Sequence, residues 1–358
     1  MKGLVQNMLG KKDIRSFNYE EMQEWVISIG EKPFRGKQIY EWLHQKQAED
    51  FEEMSNLSKT LREKLSKEFR IGKTEVVEKL ESKIDGTCKF LFRLDDGNVI
   101  ESVLMKYKHG NSVCISSQVG CRMGCRFCAS TLDGLARNLE VSEMLGQIYA
   151  IQKISKERVS NVVVMGSGEP FDNYDNIVKF LHMLSDEKGL NISQRNITVS
   201  TCGIVEKIME LAKEKLQITL AISLHAPNDE VRKELMPVAN RYTMAQIYEA
   251  CQSYFNETGR RITFEYSLVE GVNDSEAYAN QLAGYLKGLN CHVNLIPVNP
   301  IKERNYKDTK RKYVENFKNI LEKNKINATI RREMGRDIDA ACGQLRNRYM
   351  EYENTEEE

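Results

Sequence analysis

The 358-residue chain predicts an α/β fold, an incomplete β/α barrel of about six units behind a small helical domain and a short β-hairpin linker. Three observations predict it. Apolar strands and amphipathic helices alternate from Asn161 onward, which implies a parallel sheet. Polar, glycine-rich motifs follow those strands, at the ends where β/α barrels gather their sites. A loop of three closely spaced cysteines precedes the first of them.

The elements read in order as follows. Between Tyr19 and Phe69, Trp25, Val26 and Ile29, then Ile39, Trp42 and Leu43, then Leu57, Leu61 and Leu65 recur at helical spacing. Basic residues Lys32, Arg35 and Lys37 flank Pro33 and Phe34, where they either meet phosphates or lie on a solvated face. From Thr74 to Tyr107 the period shortens: Phe90, Phe92 and Leu94 alternate before Asp95-Asp96-Gly97, and Ile100, Val103 and Met105 follow it, a β-hairpin pattern. Strands are then expected at Asn161 to Met165, Asn196 to Ser200, Ile218 to Leu224, Ile262 to Tyr266 and His292 to Ile296. Helices are expected at Asn176 to Leu184, Ala245 to Tyr254, Glu276 to Leu286 and Tyr313 to Leu321. The resulting divisions are a helical accessory domain at 1–73 that could contact RNA, a hairpin linker at 74–107, a barrel at 108–345, and an acidic, disordered tail at 346–358.

Charged residues make up 29% and cancel to zero, so any basic surface is local. Met1 to Lys12 has no apolar segment of signal-peptide type, and nothing reaches bilayer-spanning length; a cytoplasmic location is expected. There, nine cysteines point to reduced thiols, metal ligation or catalysis rather than to a disulfide framework.

Cys121, Cys125 and Cys128 form a CxxxCxxC run. A four-iron, four-sulfide cubane ordinarily takes four thiolates, so three leave one iron open to a ligand that is not protein. S-adenosylmethionine (SAM) suits that position through its amino and carboxylate groups, and the run resembles that of the radical SAM superfamily. A zinc site completed by Cys114 or His109 is a weaker fit, because the CxxC pair that zinc modules use twice occurs once. Buried packing is weaker again for thiols set among Arg122, Gly124 and Arg126.

Several longer motifs extend the resemblance over nearly the whole chain: Cys114-Ile-Ser-Ser-Gln-Val-Gly-Cys121, Gly166-Ser-Gly-Glu-Pro-Phe-Asp-Asn173, Ser223-Leu-His-Ala226, His292-Val-Asn-Leu-Ile-Pro297 and Gly335-Arg-Asp-Ile-Asp-Ala-Ala-Cys-Gly-Gln-Leu345. They are similar to those of the RlmN family of dual-specificity adenine-C2 methyltransferases, which act on adenosine 2503 of 23S rRNA and adenosine 37 of tRNA. Its sister family, Cfr, methylates C8 of the same rRNA base; Pro170 after Glu169 favours RlmN, since alanine often stands there in Cfr.

The resemblance implies a partial (β/α)6 radical SAM barrel, a [4Fe-4S] cluster on Cys121, Cys125 and Cys128, and SAM contacts from Gly168, Glu169, Ser200, Ser223, Leu224, His225 and Asn299. It further implies that Cys342 carries the methyl as S-methylcysteine, that Glu101 accepts the C2 proton, and that Cys114 resolves the adduct through a transient disulfide with Cys342. A flavodoxin-like protein is the expected electron donor. By composition alone Glu101 would be a surface carboxylate and Cys342 a packing residue. Cys202 reads as structural.

Basic candidates for RNA contact are Arg35 and Lys37, Arg122 and Arg126, Arg260 and Arg261, and Arg331, Arg332, Arg336 and Arg346. A non-catalytic iron-sulfur or zinc protein would bind RNA without consuming SAM; a small-molecule radical SAM enzyme would consume SAM without methylating RNA.

Overall fold

The computed structural model describes residues 10–108, 110–298, 306–338 and 343–356, with side chains through Met350. Three helices, α1 (Tyr19–Ser28), α2 (Phe34–His44) and α3 (Lys59–Glu68), form the N-terminal unit. A short parallel pair, β1 (Lys12–Asp13) and β2 (Phe69–Arg70), ties its ends together. Helix α1 begins where Asn18 and Glu21 cap each other, each side-chain oxygen accepting the other's backbone N–H at 2.8 Å. The predicted apolar positions Val26, Ile39, Leu43, Leu61 and Leu65 are at most 2% exposed.

Ten strands make the main sheet. Strands β3 (Glu75–Glu81), β4 (Cys88–Arg93) and β5 (Val99–Tyr107) run antiparallel, and β5 pairs antiparallel with β6 (Gly110–Ile115). After β6 a small hairpin, β7 (Gln118–Gly120) with β8 (Leu135–Asn138), holds the cysteine loop between its arms. The parallel run continues from β6 through β9 (Val159–Val164), β10 (Ile197–Thr201), β11 (Thr219–Ser223), β12 (Ile262–Leu268) and β13 (Cys291–Pro297) to β14 (Asn327–Ile330). The sheet ends at β14 and β3, giving the expected partial barrel.

Its connecting helices are α4 (Val141–Ser155), α5 (Tyr174–Ser185), α6 (Val205–Lys213), α7 (Asp229–Leu235), α8 (Met244–Thr258), α9 (Glu276–Leu286) and α10 (Arg311–Lys323). A last helix, α11 (Gln344–Glu356), crosses the antiparallel strands.

Three expectations change. The hairpin is not a detached linker: β3, β4 and β5 are hydrogen-bonded members of the barrel sheet. The disordered tail is largely the helix α11, whose Leu345 is buried with Leu91 and Val99 and whose Tyr349 Oη accepts from Arg93 Nη2 at 2.6 Å. The N-terminal unit is not a separate core either. Met22, Leu43 and Leu65 belong to one continuous apolar cluster with Met144, Ile148 and Phe180 of the barrel helices, and His44 Nδ1 lies 2.7 Å from Tyr149 Oη across that junction. Among the described residues no helix is long and apolar enough to cross a membrane.

Candidate active site

The strand ends are held in register by two buried carboxamides. Gln147, on α4, accepts from Ser116 N (2.9 Å) and Ser102 Oγ (2.7 Å) and donates to Ser116 O (3.0 Å). Gln118 accepts from Glu169 N at 2.8 Å and donates to Asn138 Oδ1 at 2.7 Å. Gln118 stands within the Cys114–Cys121 motif but was given no role, and Gln147 was missed, since a lone glutamine in an apolar helix gives no period to read.

Gly168 packs against Gln118. At φ +110° it adopts a conformation that disfavours side chains, and a Cβ would fall 2.6 Å from Gln118 Cβ and 2.8 Å from its backbone nitrogen. Packing thus requires this glycine before any ligand does. Gly168→Ala should cost about 3 kcal/mol, combining backbone strain with overpacking; thermal unfolding of the variant beside wild type measures it.

Glu169 is 4% exposed. Its Oε1 accepts from Phe171 N at 3.0 Å and its Oε2 from Cys202 N at 2.7 Å, so the carboxylate clamps the ends of β9 and β10. Burial raises its pKa, opposed by these N–H donors. The Thr201 and Cys202 side chains also hydrogen-bond to this carboxylate. Ser200 and Ser223, on neighbouring strands, place their hydroxyls 3.1 Å apart.

His225 follows β11 in the left-handed region, φ +54°. Its Nδ1 accepts from Ser267 N at 2.9 Å, which leaves the proton on Nε2 in a neutral ring. Burial pulls its pKa down to about 3, with Arg232 adding to the effect, and burial does the same to His44. Both folded values lie below the ordinary 6.5, so the unfolded chain takes up protons first as pH falls. Stability is therefore full above pH 6.5 and lost between 6.5 and 3, at up to roughly 1.4 kcal/mol per pH unit per histidine. His44→Gln should lose less melting temperature than wild type between pH 7 and pH 5.

Leu224 is fully buried in the apolar core, and its N–H donates to Glu265 O at 3.1 Å; it does not line the cavity that Ser223 and His225 line. Asn299 and Cys342 lie outside the described residues, as does His109.

Cys121, Cys125 and Cys128 line one cavity of about 260 Å³ together with Gly168, Glu169, Ser200, Ser223, His225 and Glu265. The cysteine loop is fastened at Cys121 N to Gly134 O (2.8 Å) and at Arg126 N to Leu235 O of α7 (2.9 Å), and Phe127 meets His225 edge-on at 4.8 Å. Burial raises the Cys121 thiol to about 12 and the Cys125 thiol well above its usual value; the neighbouring thiols add to this. Three soft donors, two of them thiols that burial keeps protonated unless strong positive charge is near, fit an iron-sulfide group, whose metal deprotonates coordinating thiols. Cys114 is not a fourth donor: it sits on β6, buried among Val103, Met105, Val163 and Met334.

Glu101, expected at the surface by composition, is 3% exposed. Its Oε2 accepts from Gly343 N and its Oε1 from Arg346 N, both at 2.6 Å, and the fully buried Lys89 ammonium lies 3.4 Å from Oε2. Gly343, at φ +82°, has no room for a side chain: a Cβ would lie 2.6 Å from Ser130 N, two residues beyond Cys128. Asn347 Nδ2 donates to Ala129 O at 3.2 Å. The residue after Cys342 is thereby seated between the cysteine loop and Glu101. Upstream, Asp337 accepts from Ser82 Oγ (2.6 Å) and Lys83 N (3.0 Å), tethering the 335–338 segment to the β3–β4 turn.

The basic candidates separate. Arg346 is buried and paired with Asp133 at 3.2 Å. Arg260 donates to Ile218 O, beside the start of β11, so it and Arg261 lie at the opposite barrel end. Arg331 lines the cavity, and Arg122, exposed, pairs with Asp172.

A parallel partial barrel with three thiols over the strand ends defines a radical SAM fold. Residues 115–282 match the Radical SAM superfamily model, and residues 12–71 match that of the ribosomal RNA large subunit methyltransferase N-terminal domain. The crystal structure of a radical SAM methyltransferase from Sphaerobacter thermophilus superposes with a TM-score of 0.88 at 42% identity, covering 93% of this chain and 98% of that one. Proteins named probable dual-specificity RNA methyltransferase RlmN are 66% identical in Lachnospira eligens (95% of this chain, 97% of the relative) and 64% identical in Lachnoclostridium phytofermentans (96% and 97%). The chain belongs to the RlmN family.

Proposed function

We propose that this protein is a SAM-dependent RNA methyltransferase that forms 2-methyladenosine at adenosine 2503 of 23S rRNA and adenosine 37 of tRNA, with Cys342 as methyl carrier. The observation that carries it is the seating of Gly343: its N–H is bonded to Glu101 and its α-carbon packs on the turn that follows Cys128. A carrier thiol one residue away would stand beside both the metal loop and the carboxylate that the chemistry needs.

Cys121, Cys125 and Cys128 would hold a [4Fe-4S] cluster, which when bound supplies the electron for reductive cleavage of SAM. Glu169, the Ser200 and Ser223 hydroxyls and the cavity-facing backbone near Gly168 offer acceptors and donors for an amino acid and a nucleoside. The His225 Nε2–H and Asn299 complete the proposed contacts.

C2 of adenine is electron-poor and has no lone pair to attack a sulfonium methyl. Cys342 meets that difficulty as a thiolate: its sulfur–carbon bond forms as the donor's breaks. Once the methyl has given up one hydrogen atom to the radical that the bound cofactors would supply and its carbon is joined to C2, Glu101 takes the C2 proton. Cys114 then attacks the Cys342 sulfur, forming a disulfide as the bond to the product carbon breaks; that carbon keeps the bonding pair and takes a proton to become the new methyl, and the adduct's unpaired electron would return to the cluster. In register Cys114 opposes Val103, two residues from Glu101 on the same strand, so both side chains belong to one sheet face.

RNA contact by the N-terminal unit is supported by Phe34, half exposed with the Arg35 guanidinium 4.9 Å above its ring, a surface of the kind that stacks unpaired bases. The proposed donor of electrons is a flavodoxin-like protein. Anaerobically reconstituted protein with reductant and methyl-labelled SAM should transfer label to adenosine in a 23S rRNA fragment and in tRNA. SAM consumption with no label in either RNA would move the activity to another substrate.

A further inference from the structure

Arg232, on α7, is completely buried. Its Nη1 donates to Tyr242 O at 3.1 Å and its Nη2 to Cys202 O at 2.6 Å; its Nε is buried with no partner. Both acceptors are neutral carbonyls. Asp229, on the same helix, accepts from Met244 N at 2.8 Å and attracts the guanidinium at longer range. A guanidinium does not shed its proton in proteins, and a charge out of water needs an anion to offset the lost hydration.

The anion that would satisfy it lies next door. Helix α7 is bonded to the cysteine loop through Leu235 O and Arg126 N at 2.9 Å. Val231 and Leu235 pack with Cys202 against Met123, Cys125 and Phe127, and Arg232 Nη2 is bonded to the carbonyl of that same Cys202, so Cys202 links the guanidinium to the packing around Cys125. Attraction between Arg232 and Cys125 opposes the burial that raises this thiol.

Resting on the cluster assignment above, we propose that Arg232 is the built-in counter-charge of the metal centre, a positioning residue whose guanidinium offsets the negative charge of the three ionised thiols and the sulfides. It favours metal loading and eases arrival of the electron that makes the centre more negative.

The test compares full-length wild type with Arg232→Met, Arg232→Gln and Arg232→Lys after anaerobic reconstitution. It reads iron and sulfide per chain, the rise in melting temperature from apo to loaded protein, and the midpoint potential by electron paramagnetic resonance titration. Glutamine keeps amide donors for the two carbonyls and serves if methionine fails to fold. The uncharged variants should show a smaller apo-to-loaded rise and a more negative potential, and lysine should recover most of both. A side chain that only fills space would lower both melting temperatures equally and leave the potential unmoved, which overturns the proposal. Wild type that takes up no iron would overturn the cluster assignment itself.

Discussion

Cys342→Ala should abolish methyl transfer to RNA while leaving the fold and the iron content as in wild type. Removal of a nucleophile that forms a covalent intermediate costs roughly a thousandfold or more, and here the loss should be complete, because C2 cannot attack the donor by itself. The fold should survive, since the anchors around position 342 are on other residues: Gly343 N and Arg346 N on Glu101, Asn347 on Ala129, and Leu345 in its apolar cluster. Peptide mass spectrometry of wild type incubated with SAM should find S-methylcysteine at Cys342. Cys114→Ala should behave differently, methylating the carrier but stalling with protein covalently joined to RNA, visible as a shifted band on a denaturing gel. Full activity of Cys342→Ala would show that the methyl takes another route.

Glu101→Gln should be the most destabilising single change near the site, and also inactive. The carboxylate accepts two backbone N–H groups at the start of α11 and faces Lys89, which is 0% exposed. An amide has one acceptor oxygen and no charge, so one N–H is left unpaired and the buried Lys89 ammonium loses the charge of this carboxylate. Breaking one partner of a buried pair costs about 3–5 kcal/mol. The melting temperature should fall, and proteolysis should cut first within α11. Lys89→Met combined with Glu101→Gln removes the stranded charge and should regain much of the stability but none of the methylation, which separates the anchoring of α11 from proton acceptance. Unchanged stability in Glu101→Gln would contradict the anchoring.

The parallel strands were legible because each carries recurring buried apolar residues, as Val162 and Val164 or Val293 and Leu295 do; expectations at 161–165, 196–200, 218–224, 262–266 and 292–296 all fall on strands. Strand β6 was not, because Gly110, Asn111 and Ser112 open it and Ser116, just past its end, is satisfied by a partner distant in sequence, Gln147. Helix α11 was taken for a disordered tail since Leu345, Tyr349 and Met350 are its few apolar residues against several glutamates. Its order comes from Leu91, Val99, Arg93 and Glu101, all far away in the chain.

At the site, the cysteine spacing and the strand-end motifs could be read locally. The burial of Glu101 could not, because its partners are Lys89 and the backbone of Gly343 and Arg346. Arg232 was likewise invisible, one arginine in a charged stretch whose hydrogen-bond partner, the Cys202 carbonyl, is 30 residues away and meets it only in the folded chain. Gly168 was legible as a ligand-facing glycine, yet its packing on Gln118 is a reason of a different kind.

The most direct test of the central claim is the chemical identity of the product. RNA treated with reconstituted protein, SAM and reductant would be digested to nucleosides and compared by mass spectrometry with 2-methyladenosine and 8-methyladenosine standards. The account predicts 2-methyladenosine, formed by wild type and absent with Cys342→Ala. An 8-methyladenosine product would contradict it, transferring the protein to Cfr-type regiochemistry and removing Glu101 as the acceptor of a C2 proton.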